Sequence, residues 1–338
     1  MAFETVTGYC WPQTVEGGGE VALHLSSAGG RPVTVEVARV GWKREVVWRD
    51  EAVPANFHDT PKGADREGCA WPAALVLPVD PTWRSGYYEV VLDIDLDGKA
   101  RRSHAFFVVR PPVGAPTAPI LLALSTNTWH AYNDFGGRNL YTGGTSVSLQ
   151  RPMSPGYLYK PPGAGRRVTT MQVPDPTMSA QVGYLTVNHL SPYAGSAGWP
   201  DWELPFLQWA EREGYAIDVV TNADLEDHPG LLSGTGDAHY SLFLSVGHDE
   251  YWDQRQYHAV EAVMKEGVNL LWLCGNSVFV DSPFSPSSTG RVDRIITRAG
   301  CYGDLRVDEL ESYEAMFAGL KSTAPDERRI MGVRSVVP

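Results

Sequence analysis

His248, Asp249 and Glu250 stand together in the stretch SLFLSVGHDEYW. An imidazole beside two carboxylates has the makings of acid–base chemistry or of metal binding. The run Ser241 to Val246 before them is almost continuously apolar, as in a strand covered on both faces, and Gly247 lets the chain turn sharply. Asp253, with Gln256 three residues later, has the pattern of a capping box. It opens a helix with Tyr257, Val260, Val263 and Met264 on one face and Gly267 at its end. A second buried run, Val268 to Leu273, leads into Cys274, Gly275 and Asn276. Strand, helix and strand of this length form a right-handed βαβ unit whose parallel strands finish on one sheet edge, so His248, Glu250 and Asn276 are expected to meet there. The plain alternative is that the carboxylate caps the helix and the asparagine braces a turn. Convergence on the ligand-binding edge of a sheet is what favours chemistry.

The elements that must position these groups begin at Ile120 to Leu124, a buried strand followed by the dense phrase WHAYNDFGGRNLYTGG. Tyr132, Asn133 and Tyr141 lie there beside the expected active edge. The glycines fit neither a Gly-Lys-Ser/Thr loop nor GxGxxG, which argues against phosphate binding. Residues 151–200 carry little periodicity and many prolines, the mark of a lid, an insertion or a subunit contact, and they contain Tyr157, Tyr159 and Tyr184. DWELPFLQWAEREG then reads as a helix capped by Asp201 or Glu203, packed through Phe206, Leu207 and Ala210 and stopped at Gly214. Ala216 to Val220 is the next strand, and Thr221 to Asp224 a polar turn. The alternation predicts a doubly wound α/β domain over residues 120–338. Beyond Asn276 the pattern weakens to a loop from Ser282 to Gly290, a helix from Glu309 to Leu320 and a last strand from Arg329 to Val337.

Ahead of residue 110 the chain repeats short strands at Val21–Leu25, Val33–Val40, Glu45–Trp48, Ala74–Val79, Tyr87–Leu96 and His104–Val109, broken by glycine, proline and Asp-Gly turns. That is a β-sandwich of immunoglobulin type, a scaffold or docking surface whose many tryptophans serve packing. Prolines at 111, 112, 116 and 119 make residues 111–119 a linker.

A net charge of −12 argues against nucleic-acid or anionic-membrane surfaces, which need clustered lysine and arginine. The start MAFETVTGYC lacks the features of a signal peptide, and no stretch is apolar for long enough to span a bilayer, so a cytoplasmic protein is expected. Cys10, Cys69, Cys274 and Cys301 show neither CxxC nor zinc-type spacing and are expected to be free thiols.

GHDEYW after one strand, Asn276 after the next, TWHAYNDFGGRNLY and LPFLQWAEREGYAIDVVTNADL together resemble the large (beta) subunit family of N,N-dimethylformamidase, over roughly residues 118 to 280. The resemblance implies a class I glutamine-amidotransferase-like α/β domain without the usual cysteine elbow. It also implies a mononuclear, non-haem iron held by two tyrosines and a glutamate, with a histidine and an asparagine nearby. Glu250 matches the glutamate, His248 the histidine and Asn276 the asparagine. Tyr132 and Tyr141 lie in the matching phrase, while Tyr157, Tyr159 or Tyr184 could supply a ligand from the following segment. The implied reaction is hydrolysis of the carbon–nitrogen bond of a small amide. The implied assembly is a homo- or hetero-oligomer with a small companion subunit. Phenolate and carboxylate are hard oxygen donors suited to a highly charged metal, which lowers the pKa of bound water or polarises a carbonyl. The family's late acidic residue has no matched position here; Glu309, Glu311 and Glu314 stand nearest by location. Rival readings are a catalytically silent assembly module, and a zinc or metal-free hydrolase using His248 and Glu250.

Overall fold

The computed structural model describes residues 5–160, 189–191, 193–195, 197–232, 239–285, 294–303 and 321–333. Alternating valines and aromatics over the first 110 residues build eight strands. These are β1 (Val6–Trp11), β2 (Thr14–Glu16), β3 (Glu20–Ser27), β4 (Val33–Val40), β5 (Arg44–Val53), β6 (Ala73–Pro78), β7 (Gly86–Leu96) and β8 (Lys99–Arg110). They form a three-stranded sheet, β1-β3-β6, and a five-stranded one, β2-β8-β7-β4-β5. Every pairing is antiparallel except β2 with β8. Val33, Val35 and Val37 point inward from β4 at 1% exposure or less, as their alternation requires. At the start of β7 the Tyr88 hydroxyl donates to Arg84 O at 2.8 Å, the tyrosine-corner contact of immunoglobulin-type sandwiches. β1 and β2 went unread in the sequence because β1, buried on both faces, does not alternate and β2 is only three residues long.

A second region is built on a parallel sheet of β9 (Ile120–Leu124), β11 (Ile217–Thr221), β12 (Leu242–His248) and β14 (Asn269–Gly275), while β10 (Ser146–Ser148) and β13 (Tyr251–Trp252) are short accessory strands. The α-helices among the described residues are α1 (Ala64–Glu67), α2 (Thr126–Tyr132), α3 (Glu203–Arg212), α4 (Asn222–Asp227), α5 (Gln254–Lys265) and α6 (Arg328–Met331). The strand order is β11-β9-β12-β14, all parallel, so the winding reverses between β9 and β12. A crevice opens at the carboxyl edge of a sheet where such a reversal occurs. Leu121, Leu122, Ala123 and Leu124 are fully buried, which fits a central strand covered on both faces and contributes roughly 1.5–3 kcal/mol per leucine.

Part of the outer face of the five-stranded sheet is covered by the second region. Val40, Tyr87, Phe106 and Val108 share one apolar cluster with Leu122, Trp129, Tyr132 and Trp199, and the rings of Tyr87 and Trp199 stack at 3.9 Å. Arg39 of β4 pairs with Glu211 of α3 at 2.6 Å, and Ser85 bonds Val219 of β11 through both its donor and acceptor. Asp218 accepts from Thr117 N at 2.8 Å, which ties the proline-rich connection to β11. The sandwich is thus fused to the parallel sheet through a common core.

Several sequence expectations need correction. Val268 to Leu273 is not buried throughout: β14 is an edge strand, and Leu271 and Leu273 are 40% and 47% exposed. Alternation is invisible when both faces carry leucine. Thr221 to Asp224 is not a turn, because Thr221 and Asp224 form a capping box that starts α4. Asp253 does cap α5, accepting from Arg255 N, yet Gln256 is buried with its amide unbonded, so no box forms. Glu203 and Asp201 are buried, and neither caps α3. Residues 151–158, the start of the stretch expected to be a lid, an insertion or a subunit contact, lie largely in the core, with Arg151 and Tyr157 fully buried. Arg328–Met331 is a short helix where a strand was expected. The helix expected at Glu309 to Leu320, and with it Glu309, Glu311 and Glu314, lies outside the described residues, as does Tyr184. None of the four cysteines is joined in a disulfide. No helix among the described residues is long and apolar enough to cross a membrane.

Candidate metal centre

β9 and β12 lie side by side, and the segments leaving their carboxyl ends deliver the expected groups to one place. α2, which follows β9, carries Tyr132 in its last turn, and a loop folded back beneath it carries Tyr141. The turn after β12 carries Glu250. The Tyr132 hydroxyl lies 2.9 Å from Glu250 Oε2 and 2.7 Å from the Tyr141 hydroxyl. The Tyr141 hydroxyl reaches both Glu250 oxygens at 2.6 and 2.7 Å. His248 Nε2 is 3.2 Å from Glu250 Oε2. One carboxylate, two phenols and one imidazole therefore converge in a space that is almost closed: Glu250 is 0% and Tyr132 7% exposed.

Gly247 is what lets β12 turn there. Its φ is +98°, and a Cβ would stand 2.5 Å from that of Trp202, so any side chain would be both strained and blocked. Tyr141 is oriented by Asn139, whose Oδ1 accepts from Tyr141 N at 2.9 Å while its Nδ2 donates to Tyr132 O at 2.8 Å. Arg151, fully buried, donates to the carbonyls of His130, Asn133, Phe135 and Ser148. These bonds gather the end of α2 and the loop after it around one guanidinium.

Burial, and then the charge of Glu250, push the phenols of Tyr132 and Tyr141 well above the usual tyrosine range. Tyr251 packs edge-on against both rings, and its phenol is raised for the same two reasons. Without a cation these phenols are protonated at neutral pH. A cation among them would reverse the balance, because phenolate next to a metal is the favoured form. The buried Tyr251 hydroxyl lacks a hydrogen bond of ordinary geometry. Among the described residues no three His, Cys, Asp or Glu side chains gather into a metal-binding set. An ion here would depend on phenol oxygens, and the donor set of two tyrosines and a glutamate suits a hard, highly charged ion better than zinc.

Glu203, fully buried beneath α2, receives the Trp129 indole N–H at 3.1 Å. Burial raises its pKa well above the carboxylate range. The folded value lies above the unfolded one, so its contribution to stability is present below pH about 4.5 and is lost as pH rises through the folded value. Glu203→Gln is expected to unfold at a higher temperature than the native protein at neutral pH, with a flatter pH dependence above about 4.5. Thermal unfolding followed across that range checks this, and an unchanged slope would count against it.

A family model described as N,N-dimethylformamidase beta subunit-like, C-terminal, matches residues 34–335. The chain belongs to this family. The N,N-dimethylformamidase beta subunit of Alcaligenes sp is 24% identical over 236 residues, which cover 63% of this chain and 28% of that relative's length. Among solved structures, murine CEACAM1b is 16% identical over 35% of this chain and 62% of its own, with a TM-score of 0.19. A Parabacteroides merdae β-glucuronidase is 10% identical over 78% of this chain and 31% of its own, with a TM-score of 0.21. Neither likeness is close enough to bear on the fold.

In this member of the dimethylformamidase beta subunit-like family, Tyr132, Tyr141, His248 and Glu250 come together, and Asn276 stands apart from them. Asn276 follows Gly275, the register partner of His248, so it lies on the same sheet edge. It is exposed, with φ +49°, and no hydrogen bond joins it to the Glu250 cluster. Of the other tyrosines, Tyr157 donates to Tyr132 O at 2.7 Å and Tyr159 stacks on His104 of the sandwich. Tyr251 and the residues that brace Glu250 from α2 and α4 escaped the sequence reading. Tyr251 was legible as an aromatic inside GHDEYW; the others are polar residues in helix first turns, which ordinarily signal only capping.

Proposed function

We propose that this chain carries an iron-dependent amidohydrolase site of the dimethylformamidase kind, on a glutamine-amidotransferase-like α/β region, cleaving the carbon–nitrogen bond of a small amide. The observation that supports it is the meeting of the Tyr132, Tyr141 and Glu250 oxygens within 2.9 Å of one another at the sheet's switch point. These three side chains would hold the iron. When bound, the ion supplies Lewis acidity toward an amide carbonyl and toward water. His248 lies at the rim, with its side chain 14% exposed, and takes a proton from the attacking water and passes it to the departing amine. Asn276, on the same edge, donates to the developing oxyanion, a contact worth on the order of 3 kcal/mol in the transition state. The relative's name identifies it as one subunit of an enzyme, which supports assembly of this chain with further copies or a small companion. A cytoplasmic setting completes the reading.

Purified from cells grown with ample iron, the protein is expected to hold about one iron per chain. It should show a visible tyrosine-to-iron absorption that Tyr132→Phe and Tyr141→Phe each abolish or shift. Colourless, iron-free protein under those conditions would overturn the proposal. The same hydrogen bonds also leave the two phenols and the carboxylate satisfying one another, which favours a second reading as a silent assembly module. Glu250→Ala that changes neither metal content nor turnover but leaves assembly intact would select it.

A further inference from the structure

The first turn of α2 does more than start the helix that carries Tyr132. Thr128 Oγ1 accepts from Glu250 N at 2.9 Å and from Tyr251 N at 3.4 Å. One residue earlier, Asn127 Nδ2 donates to Tyr251 O at 3.2 Å. Asn127 N is one of the orphan donors of a helix start, and Ser125 at the N-cap gives it no side-chain bond. Its partner instead comes from another element: Asn222, the first residue of α4, accepts it through Oδ1 at 3.0 Å. The other half of the same amide, Asn222 Nδ2, donates to Asp249 Oδ1 at 3.2 Å. Ser245 Oγ donates to the second Asp249 oxygen at 2.7 Å. Asn127, Asn222 and Asp249 are all 0% exposed.

We propose that Asn222 and Asn127 form a two-amide clamp that fixes the Asp249–Tyr251 turn to α2 and so sets where the Glu250 carboxylate meets the tyrosines; both are positioning residues of the site. Two requirements follow from the geometry. The amide at 222 must accept from a backbone N–H and donate to a carboxylate at once, which an ionised aspartate or a leucine cannot do. And α2, about 10 Å long, acts as a ruler: its first turn holds the backbone of Glu250 and its last turn brings the Tyr132 hydroxyl to the same residue's carboxylate. A slip at the first turn therefore opens the distance at the last. Buried amides in helix first turns cost stability unless they are bonded, and here every bond but that of Asn127 Oδ1 is made between elements.

The clamp deepens the reading of the site as an iron centre and rests on that reading only for its metal readout. Asn222→Asp keeps the shape and the acceptor but removes the donor to Asp249 and sets two carboxylates together. It is expected to speed hydrogen exchange of the peptide 249–252 in metal-free protein by at least about tenfold. It should also weaken iron binding, measured against a competing chelator, by about 10- to 100-fold. Combining it with Asp249→Asn reverses donor and acceptor across the same contact, since the Ser245 hydroxyl can turn to suit either. The double variant is expected to return both readouts to within about threefold of the native protein. If Asn222→Asp does not fold, Asn127→Ser removes the donor to Tyr251 O and takes its place. Native-like exchange in the single variant, or a folded double variant that is not rescued, would overturn the clamp. Native protein that takes up no iron would instead overturn the proposed function, and the exchange measurement would still decide the clamp.

Discussion

Glu250→Ala is expected to abolish iron retention and to cut turnover of a small amide by at least about 100- to 1000-fold, the scale for losing one transition-state electrostatic contact. The reason is geometric: both phenols reach this carboxylate, so it is the one donor that touches every other member of the cluster. Its effect on folding should be much smaller. Tyr132 and Tyr141 keep their mutual 2.7 Å bond, and the loss of a shared acceptor costs about 1–3 kcal/mol. Glu250→Gln separates charge from shape, because it keeps the volume and one acceptor oxygen but carries no negative charge. It should fold as the native protein does and lose iron nearly as fully as Glu250→Ala. Iron content and turnover within about threefold of native in either variant would remove Glu250 from the ligand set.

Arg151→Met is expected to have the largest effect on stability, roughly 3–5 kcal/mol by denaturant midpoint, out of a total of about 5–15 for a typical domain. Burial pulls the guanidinium down to about 10, so it remains charged at neutral pH. Four buried carbonyls depend on it, those of His130, Asn133, Phe135 and Ser148. Removing it strands them, while replacement by methionine recovers part of the desolvation cost of the charge, and for that reason the estimate lies below the sum of four lost bonds. Arg151→Lys should also destabilise, since an ammonium cannot reach carbonyls spread around a planar fork. Because those carbonyls belong to the segment that presents Tyr132 and leads to Tyr141, surviving folded protein should also bind iron weakly. A midpoint shift below about 1 kcal/mol would show that the segment is held by packing alone.

The sequence by itself located the sheet edge that carries the candidate site. A continuous apolar run, a glycine that alone tolerates φ +98°, and a histidine and acid pair directly after it locate Glu250 and His248, because the strand buries on both faces and the turn admits nothing larger. Alternating valines likewise determined β4, and the positions of β7 and β12 followed from their runs. Only the tertiary structure decided which tyrosines share the carboxylate, since hydroxyls nine residues apart meet only when α2 ends and the chain doubles back through Asn139. It also decided that Asn276 sits exposed on the rim, and that β14 is an open edge. The physical reason is the same in each case. Hydrophobic periodicity is a local property of the chain, whereas the partner of a buried polar group is set by which elements pack against it. A residue such as Asn222 therefore looks the same in the sequence whether it caps its own helix or clamps another.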